Sequence, residues 1–464
     1  MQTKNLYRTL AVIMSLARPT MLEQLMQTAV QYIDTAMVGT LGTSATAAVG
    51  STVTVNWLVN GTVSALGIGF LTFISRSLGA QDIRHAKKIS AQAVTLTVFI
   101  GVLFTIITLS LSPFIPSLMQ VDKPIRSLAA SYFFILYTPV LFRSATIVFG
   151  TLLRASGDSK TPMRVGMLVN IINIALNFFL IFPSRTVWGI FIPGADLGII
   201  GAAIASAVSF AVGGIYMTIK LFSHPVISPK GESFMPDKHI LKPCLSVSFP
   251  NMIQRFGTSL GYVAFAGLVN SLGETATAAH TIANTVESAF YIPGYGMQTA
   301  AATLSCNALG ANDAKRMREL TRVLYIIETI LMTFSGALLF IFAPDMVRLF
   351  STNPTVIQLG STVLRMVALS EPFYGVSIII EGVMQGVGET RFPLIFNIVG
   401  MWGIRIVGTA LATQLFSCGL ISAWGCMIAH NMLLFVLFVI YYKNGNWNPL
   451  NERKNKNVKH YSHN

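Results

Sequence analysis

The sequence predicts an all-α integral membrane protein: twelve transmembrane helices in two six-helix bundles related by a pseudo-twofold, parallel repeat. Three observations carry that reading. Of the 464 residues 53% are hydrophobic and only 11% charged, whereas a soluble protein carries roughly a quarter charged residues. With a mean hydropathy of +0.63, the chain has too little polar surface to cover a globule of its size, so soluble enzymes and nucleic-acid binders are poor candidates. Its apolar residues gather in runs of about 20 or more, the length a helix needs to cross a bilayer. Finally, its second half repeats its first at a constant offset of 231 residues.

Taken in order, the runs fall near 11–38, 47–74, 91–112, 128–152, 163–183, 197–222, 244–270, 277–303, 320–343, 359–383, 393–416 and 420–442. They lack period-two alternation and exceed the roughly ten residues of a barrel strand, so a closed β-barrel does not fit. The first run follows a basic start, but polar Glu23, Gln24 and Gln27 come next with no small-residue cleavage site. It is therefore expected to stay as a span rather than leave as a signal peptide. Residues 223–242 are rich in Pro, Gly and charge, as a linker between lobes should be. The expected layout is an N-terminal lobe at 1–222, a cytoplasmic linker at 223–242, a C-terminal lobe at 243–445 and a basic cytoplasmic tail at 446–464.

Orientation follows from the Lys and Arg residues, which stay on the cytoplasmic side. With the N-terminus inside, 24 of the 32 fall in segments on that side, four fall on the other, and Arg143, Arg255, Arg365 and Arg405 lie within spans. Both termini are thus expected in the cytoplasm of a multi-pass plasma-membrane protein, a bacterial inner membrane being the natural setting. The net charge of +14 is mostly a topology signal and calls for no nucleic-acid partner. Cys244, Cys306, Cys418 and Cys426 show no CxxC spacing, so metal and redox motifs are absent.

The repeat holds its register at loop positions as well as in apolar runs. Pro19 pairs with Pro250, Leu41-Gly42 with Leu272-Gly273, and Ala47-Ala48 with Ala278-Ala279. The Leu78-Gly79-Ala80 and Asp82 set falls on Leu309-Gly310-Ala311 and Asp313, and Gly157-Asp158-Ser159-Lys160 falls on Gly388-Glu389-Thr390-Arg391. Six spans per half, an even number, let both halves enter from the same face, so the repeats are parallel. Paired bundles around a central cleft suggest alternating access for a solute.

Ionisable groups inside a bilayer are expensive and mark function by default. Six carboxylates qualify: Glu23, Asp34, Glu287, Glu328, Glu371 and Glu381. On the first helix Gln24, Gln27, Gln31 and Asp34 share one face, the fifth carries Asn170, Asn173 and Asn177, and the second adds Asn56 and Asn60. If these faces meet, Asp34 gains amide donors in a wet pocket where it could exchange a proton or hold a cation; a purely structural amide network is the alternative. The second half has Glu371, Tyr374, Ser377 and Glu381 on its tenth span, Asn284, Glu287 and Tyr291 on the eighth, and Asn251, Gln254 and Thr258 on the seventh. Such an acidic, aromatic lining favours organic cations. Alternatively, Glu371 and Glu381 neutralise Arg365, Arg255 or Arg405 as buried pairs, while Glu328, near its helix start, reads as solvated or paired. Pro19 removes a backbone donor and could act as a hinge for Asp34. No P-loop or Walker spacing and no reactive constellation occurs, so the chain is expected to be a non-enzyme without a cofactor, driven by an ion gradient.

These features resemble the multidrug and toxic compound extrusion (MATE) transporters. The resemblance spans nearly the whole chain and is carried by Asp34-Thr-Ala-Met-Val-Gly-Thr-Leu-Gly with Ala47-Ala48-Val-Gly50, the two Leu-Gly-Ala-x-Asp loops, Gly157-Asp-Ser-Lys, Gly388-Glu-Thr-Arg, Asn173-Ile-Ala-Leu-Asn177 and Gly198-Ile-Ile-Gly-Ala-Ala-Ile-Ala-Ser206. It implies a two-lobed antiporter, expected to be a monomer in the lipid bilayer, exporting cationic or amphipathic organic compounds in exchange for H+ or Na+. Asp34 matches the family's ion-binding aspartate, with sodium as its metal if coupling is to Na+; Asn173 matches the fifth-helix asparagine, and Ser206 stands where threonine is common. Asn177 departs from a branch with aspartate there, and no acid lies between 244 and 270, where another branch has one. The expected ion-coupling set is Asp34, Asn170, Asn173, Asn177 and Ser206; the expected substrate set is Gln31, Glu287, Tyr291, Glu371, Tyr374 and Glu381. The rival reading within the wider group is a flippase for a lipid-linked or amphipathic metabolite, which should have a strongly cationic cavity.

Overall fold

A computed structural model describes residues 2–42, 45, 48–49, 52–118, 123–187, 190–445 and 447–450; Ala47, Gly50 and the tail from 451 lie outside the described residues. Helices account for nearly all of it. They are α1 (Gln2–Gly39), α2 (Val53–Gly79), α3 (Ile83–Leu111), α4 (Arg126–Tyr137), α5 (Val140–Ala155), α6 (Lys160–Leu180) and α7 (Gly198–Phe222) in the first half. The second half has α8 (Lys238–Asn270), α9 (Glu274–Gly310), α10 (Ala314–Arg348), α11 (Pro354–Ala368), α12 (Glu371–Val387), α13 (Arg391–Leu415) and α14 (Leu420–Asn444).

Among the described residues seven helices are long and apolar enough to cross a membrane, α2, α3, α6, α7, α10, α13 and α14, and two bent pairs also qualify. α1, α8 and α9, of 38, 33 and 37 residues, lie where the other three expected spans fall but do not meet that criterion of length and apolarity. The fourth and tenth spans are not the continuous helices the sequence suggested. α4 meets α5 at 46° and α11 meets α12 at 53°. Pro139 starts one break, and Pro372, in the first turn of α12, follows the other; a proline cannot donate to the preceding turn. The breaks fall after Tyr137 and Ala368, 231 residues apart, so the repeat extends to helix geometry. Likewise Gly157 and Gly388 end α5 and α12 with φ of +92° and +89°, a conformation that favours glycine.

By packing, the chain divides into two compact units, but not at residue 222. One comprises Leu22–Phe70 and Ile83–Pro243; the other comprises Met1–Met21, Leu71–Asp82 and Cys244–Asn464. In the second unit Ile13, Leu16 and Ala17 of α1 join a buried cluster with Met297, Leu304, Met384 and Phe438. The last turns of α2 cross α9 backbone to backbone. A Cβ on Gly79 would land on the carbonyl oxygen of Asn307, and a Cβ on Gly310 would land on that of Arg76. Beside this crossing Thr72 Oγ1 donates to the Gln385 carbonyl (3.1 Å), and Cys306 Sγ donates to that of Thr72 (2.6 Å).

In the first unit, Val38, Phe133, Tyr137, Ile181, Ala202 and Ala203 form a buried cluster. Gly201 and Gly214 of α7 sit on the carbonyls of Leu180 and Phe142 with no room for a side chain, the close helix approach that small residues permit in membranes. An antiparallel hairpin, β1 (Pro183–Val187) with β2 (Ile190–Ala195), joins α6 to α7. This hairpin is not among the expected elements. Arg185 on β1 lies 4.3 Å from the ring centre of Phe178 and 4.1 Å from that of Phe182.

The linker is stapled to the first unit rather than loose. Gln92 Nε2 donates to the Met235 carbonyl (2.8 Å), and its Oε1 accepts from the Asp237 amide (2.9 Å). At the linker's start His224 Nδ1 accepts from the amides of Val226 (3.2 Å) and Ile227 (3.3 Å), while Nε2 meets Ser156 Oγ at 3.3 Å. Burial holds the His224 pKa below 6.5, against the opposing pull of Asp158. A lowered histidine pKa means the neutral ring is favoured, so its contribution is complete above pH 6.5 and is lost as pH falls through the lowered value. The protection of the 222–237 amides, intrinsic rate over observed rate, should therefore fall on acidification. His224→Asn, whose amide oxygen can accept the same two bonds, should remove that dependence; equal profiles for both proteins would refute it.

Candidate functional site

Each unit brings buried polar side chains together. In the first, α1 delivers Asp34, α6 delivers Asn173 and Asn177 one helical turn apart, and α7 delivers Ser206. Asn177 Nδ2 donates to Asp34 Oδ1 at 2.7 Å. With the Asn173 carboxamide turned so that each atom meets a complementary group, Nδ2 donates to both Asp34 oxygens (2.9 and 3.0 Å) and Oδ1 accepts from Ser206 Oγ (3.1 Å). The carboxylate is thus gripped by two amides, one of them anchored by a hydroxyl. Asn173 and Asn177 are buried and Asp34 is half-buried. Asn177 Oδ1 is buried with no hydrogen-bond partner.

Four of the five expected ion-coupling residues come together this way; Asn170, half-buried on α6, makes none of these bonds. Asn56 and Asn60 do not serve Asp34 either. Asn56 Oδ1 instead accepts from Tyr137 (2.8 Å) and from Arg143 Nη1 (3.0 Å), and Asn60 Oδ1 is buried without a partner. Arg143 also lies 4.7 Å from the Phe210 ring centre. Arg143, Tyr137 and Tyr132, which stands within electrostatic reach of Asp34, were missed as site residues; a lone arginine in an apolar run was the available signal. Gln31 is exposed on α1. Glu23 proves to be ion-paired, its Oε2 accepting from Arg154 Nη2 at 2.6 Å.

In the second unit Tyr291 packs edge-on against Tyr295 (5.9 Å) and Tyr374 (6.1 Å), whose hydroxyls meet at 3.1 Å. The expected pair Tyr291 and Tyr374 is therefore brought together, with Tyr295 as an unforeseen third ring. Glu371 is 1% exposed at the first turn of α12, in the bend, within electrostatic reach of both Glu287 and Glu328. Glu381 Oε1 accepts from Gln254 (2.7 Å) and Gln385 (2.9 Å).

One alternative and one expectation for these acids are corrected. Among the described residues neither Glu371 nor Glu381 forms an ion pair: Arg365 is exposed and bonds the Phe340 carbonyl, and Arg405 faces aromatic rings. Nor is Glu328 solvated or paired. It is 0% exposed and neither carboxylate oxygen has a hydrogen-bond partner. Gly294 and Gly375 leave its space, since a Cβ on the first would come within 2.5 Å of Glu328 Oε1 and on the second within 3.1 Å of its Cγ. The position near a helix start misled because α10 begins at Ala314, about four turns earlier.

The comparisons agree with this architecture. The MatE family model matches twice, over residues 19–179 and 250–411, starting at the repeat-related prolines. The chain is 27% identical over 435 residues to a probable multidrug resistance protein, NorM, of Thermotoga maritima, covering 94% of this chain and 92% of that one. It is 23% identical to the multidrug export protein MepA of Staphylococcus aureus over 85% of each chain. Among solved structures, a MATE protein in complex with MaL6 superposes with a TM-score of 0.88 at 22% identity, covering 95% of this chain and 97% of that one. A MOP superfamily transporter from Pyrococcus furiosus gives 0.87 at 22% identity, covering 95% and 96%; both show the shared fold. With both halves matched by the one family model, this multi-pass membrane protein belongs to the MatE, or multidrug and toxic compound extrusion, family.

Proposed function

We propose that the chain is a secondary active antiporter that exports cationic or amphipathic organic compounds across the cytoplasmic membrane, by alternating access, in exchange for H+ or Na+. The observation that carries this is the grip of Asn173 and Asn177 on Asp34. Amides can face a group either way. They hold an ionised carboxylate through N–H, and turned over they offer oxygen to a cation or accept from a protonated acid. Asn177 Oδ1 and Ser206 Oγ add oxygens of the kind a hard cation takes.

Pro19 is the proposed hinge. It withholds the N–H that would bond the Ser15 carbonyl, and α1 passes from one compact unit to the other at Met21–Leu22, two residues later. The substrate side is proposed to be Glu287, Tyr291, Glu371 and Tyr374, an acidic and aromatic set that attracts organic cations, with Gln31 and Glu381 in support. Relatives named for multidrug resistance and export support the substrate class.

The test is efflux of ethidium from proteoliposomes under an imposed pH gradient or an imposed sodium gradient, each alone. Export that follows one gradient identifies the ion. Folded protein that responds to neither refutes antiport.

A further inference from the structure

Arg405 lies in the π-helical stretch Val399–Ile406 of α13 and is 4% exposed. Its guanidinium is flanked by Tyr262 (4.9 Å) and Phe265 (4.2 Å). These rings lie against its guanidinium while Nε is buried with no hydrogen-bond partner, and among the described residues no carboxylate reaches ion-pair distance. A buried guanidinium in a membrane protein ordinarily meets an anion.

Two imidazoles share its surroundings. His280 packs edge-on against Phe265 at 5.5 Å, and its Nδ1 accepts from Trp424 Nε1 at 3.2 Å, which leaves Nε2 as the donor. His430 is 5% exposed, and neither of its ring nitrogens has a partner. Both feel the charge of Arg405. Two turns along α9 from His280, on the same face, stands Glu287, 5% exposed and within electrostatic reach of Arg405 without touching it. One end of the cluster is therefore a set of buried donors, and the other is acidic and aromatic.

We propose that Arg405, with His430, binds the acidic group of the transported molecule while Glu287 holds its cationic group, so that the second unit selects zwitterionic over purely cationic amphiphiles. This rests on the transport reading above and adds the ligand's second charge. A guanidinium fork matches a carboxylate with two parallel hydrogen bonds. Arg405 and Glu287 do not form an ion pair, so each charge is left for a ligand group of the opposite sign.

The test compares rhodamine 110, a zwitterion, with its methyl ester rhodamine 123, a cation with the same ring system, binding to the purified full chain by fluorescence polarisation. The wild type should bind the zwitterion more tightly. Arg405→Gln should weaken zwitterion binding by about tenfold or more and ester binding by less than about twofold, the size expected when a charge-assisted pair is lost; Arg405→Lys should keep part of the preference. Equal weakening of both dyes by Arg405→Gln would show a structural role and overturn the proposal. A wild type that binds the ester at least as tightly as the zwitterion would overturn it without any variant and leave the cation reading standing. Binding of neither dye would sink both readings. If replacing chloride by gluconate abolished ester binding, Arg405 would be holding a free inorganic anion, which also overturns the assignment.

Discussion

The proposed antiport predicts that Asp34→Asn abolishes gradient-driven export. The transport rate should fall by about a hundredfold, the upper range of a coupling free energy between sites, while equilibrium dye binding changes little. The substitution keeps the shape of the side chain and an acceptor for Asn177 Nδ2, which bonds the carboxylate at 2.7 Å. What it removes is the charge that, in the proposed mechanism, a proton or sodium ion neutralises. Asn170→Ala is the internal control: it lies on α6 with Asn173 and Asn177 but outside the bonds to Asp34, so its transport should stay within about twofold, as for a change away from special features. Transport in proteoliposomes alongside dye binding separates coupling from substrate affinity. An active Asp34→Asn protein would remove Asp34 from the mechanism.

Gly79→Ala and Gly310→Ala should each be strongly destabilising, although they add one methyl group. In both cases the obstacle is carbonyl backbone on the facing helix, Asn307 for one and Arg76 for the other. Backbone cannot rotate away as a side chain can, so each change costs about 1–3 kcal/mol or more, the range for overpacking. Both force apart the same crossing, so the double variant should cost less than the sum of the singles. Thermal unfolding in detergent measures this. Strictly additive losses would mean that the two glycines do not share one contact. Gly42→Ala is the contrasting case, since no neighbouring atom lies within 4 Å of its added Cβ, though its φ of +103° adds local strain.

Much of the helical framework was readable because membrane spans announce themselves by length and apolarity, and because a register held through Pro, Gly and Asp positions cannot come from apolar bias. The Asp34 site was readable for a related reason: Asn173 and Asn177, four residues apart, had to share a face. Periodicity could not say where along that face the aspartate would sit, so Asn170 was included and is left out of the bonding. Arg143 and Arg405 were invisible as site residues because their meaning depends on what other spans place beside them, Asn56 in one case and Tyr262 and Phe265 in the other. Glu328 was misjudged for the same reason, its burial depending on Gly294 and Gly375 of two other helices. The bends after Tyr137 and Ala368 could have been foreseen from Pro139 and Pro372.

The glycine crossing carries one more consequence. Gly79 rests on the carbonyl of residue 307 and Gly310 on that of residue 76, and each of these partners is the other's counterpart at the 231-residue offset. Residue i touches j′ and residue j touches i′, which is the defining signature of an isologous interface, the self-complementary surface of a twofold homodimer. Two equal subunits meeting through such a surface need no redesign when a linker joins them end to end. At this crossing the two repeats meet as the halves of a symmetric dimer made covalent, while their chemistry differs: Asp34 belongs to the first repeat, and the buried acids with Arg405 belong to the second.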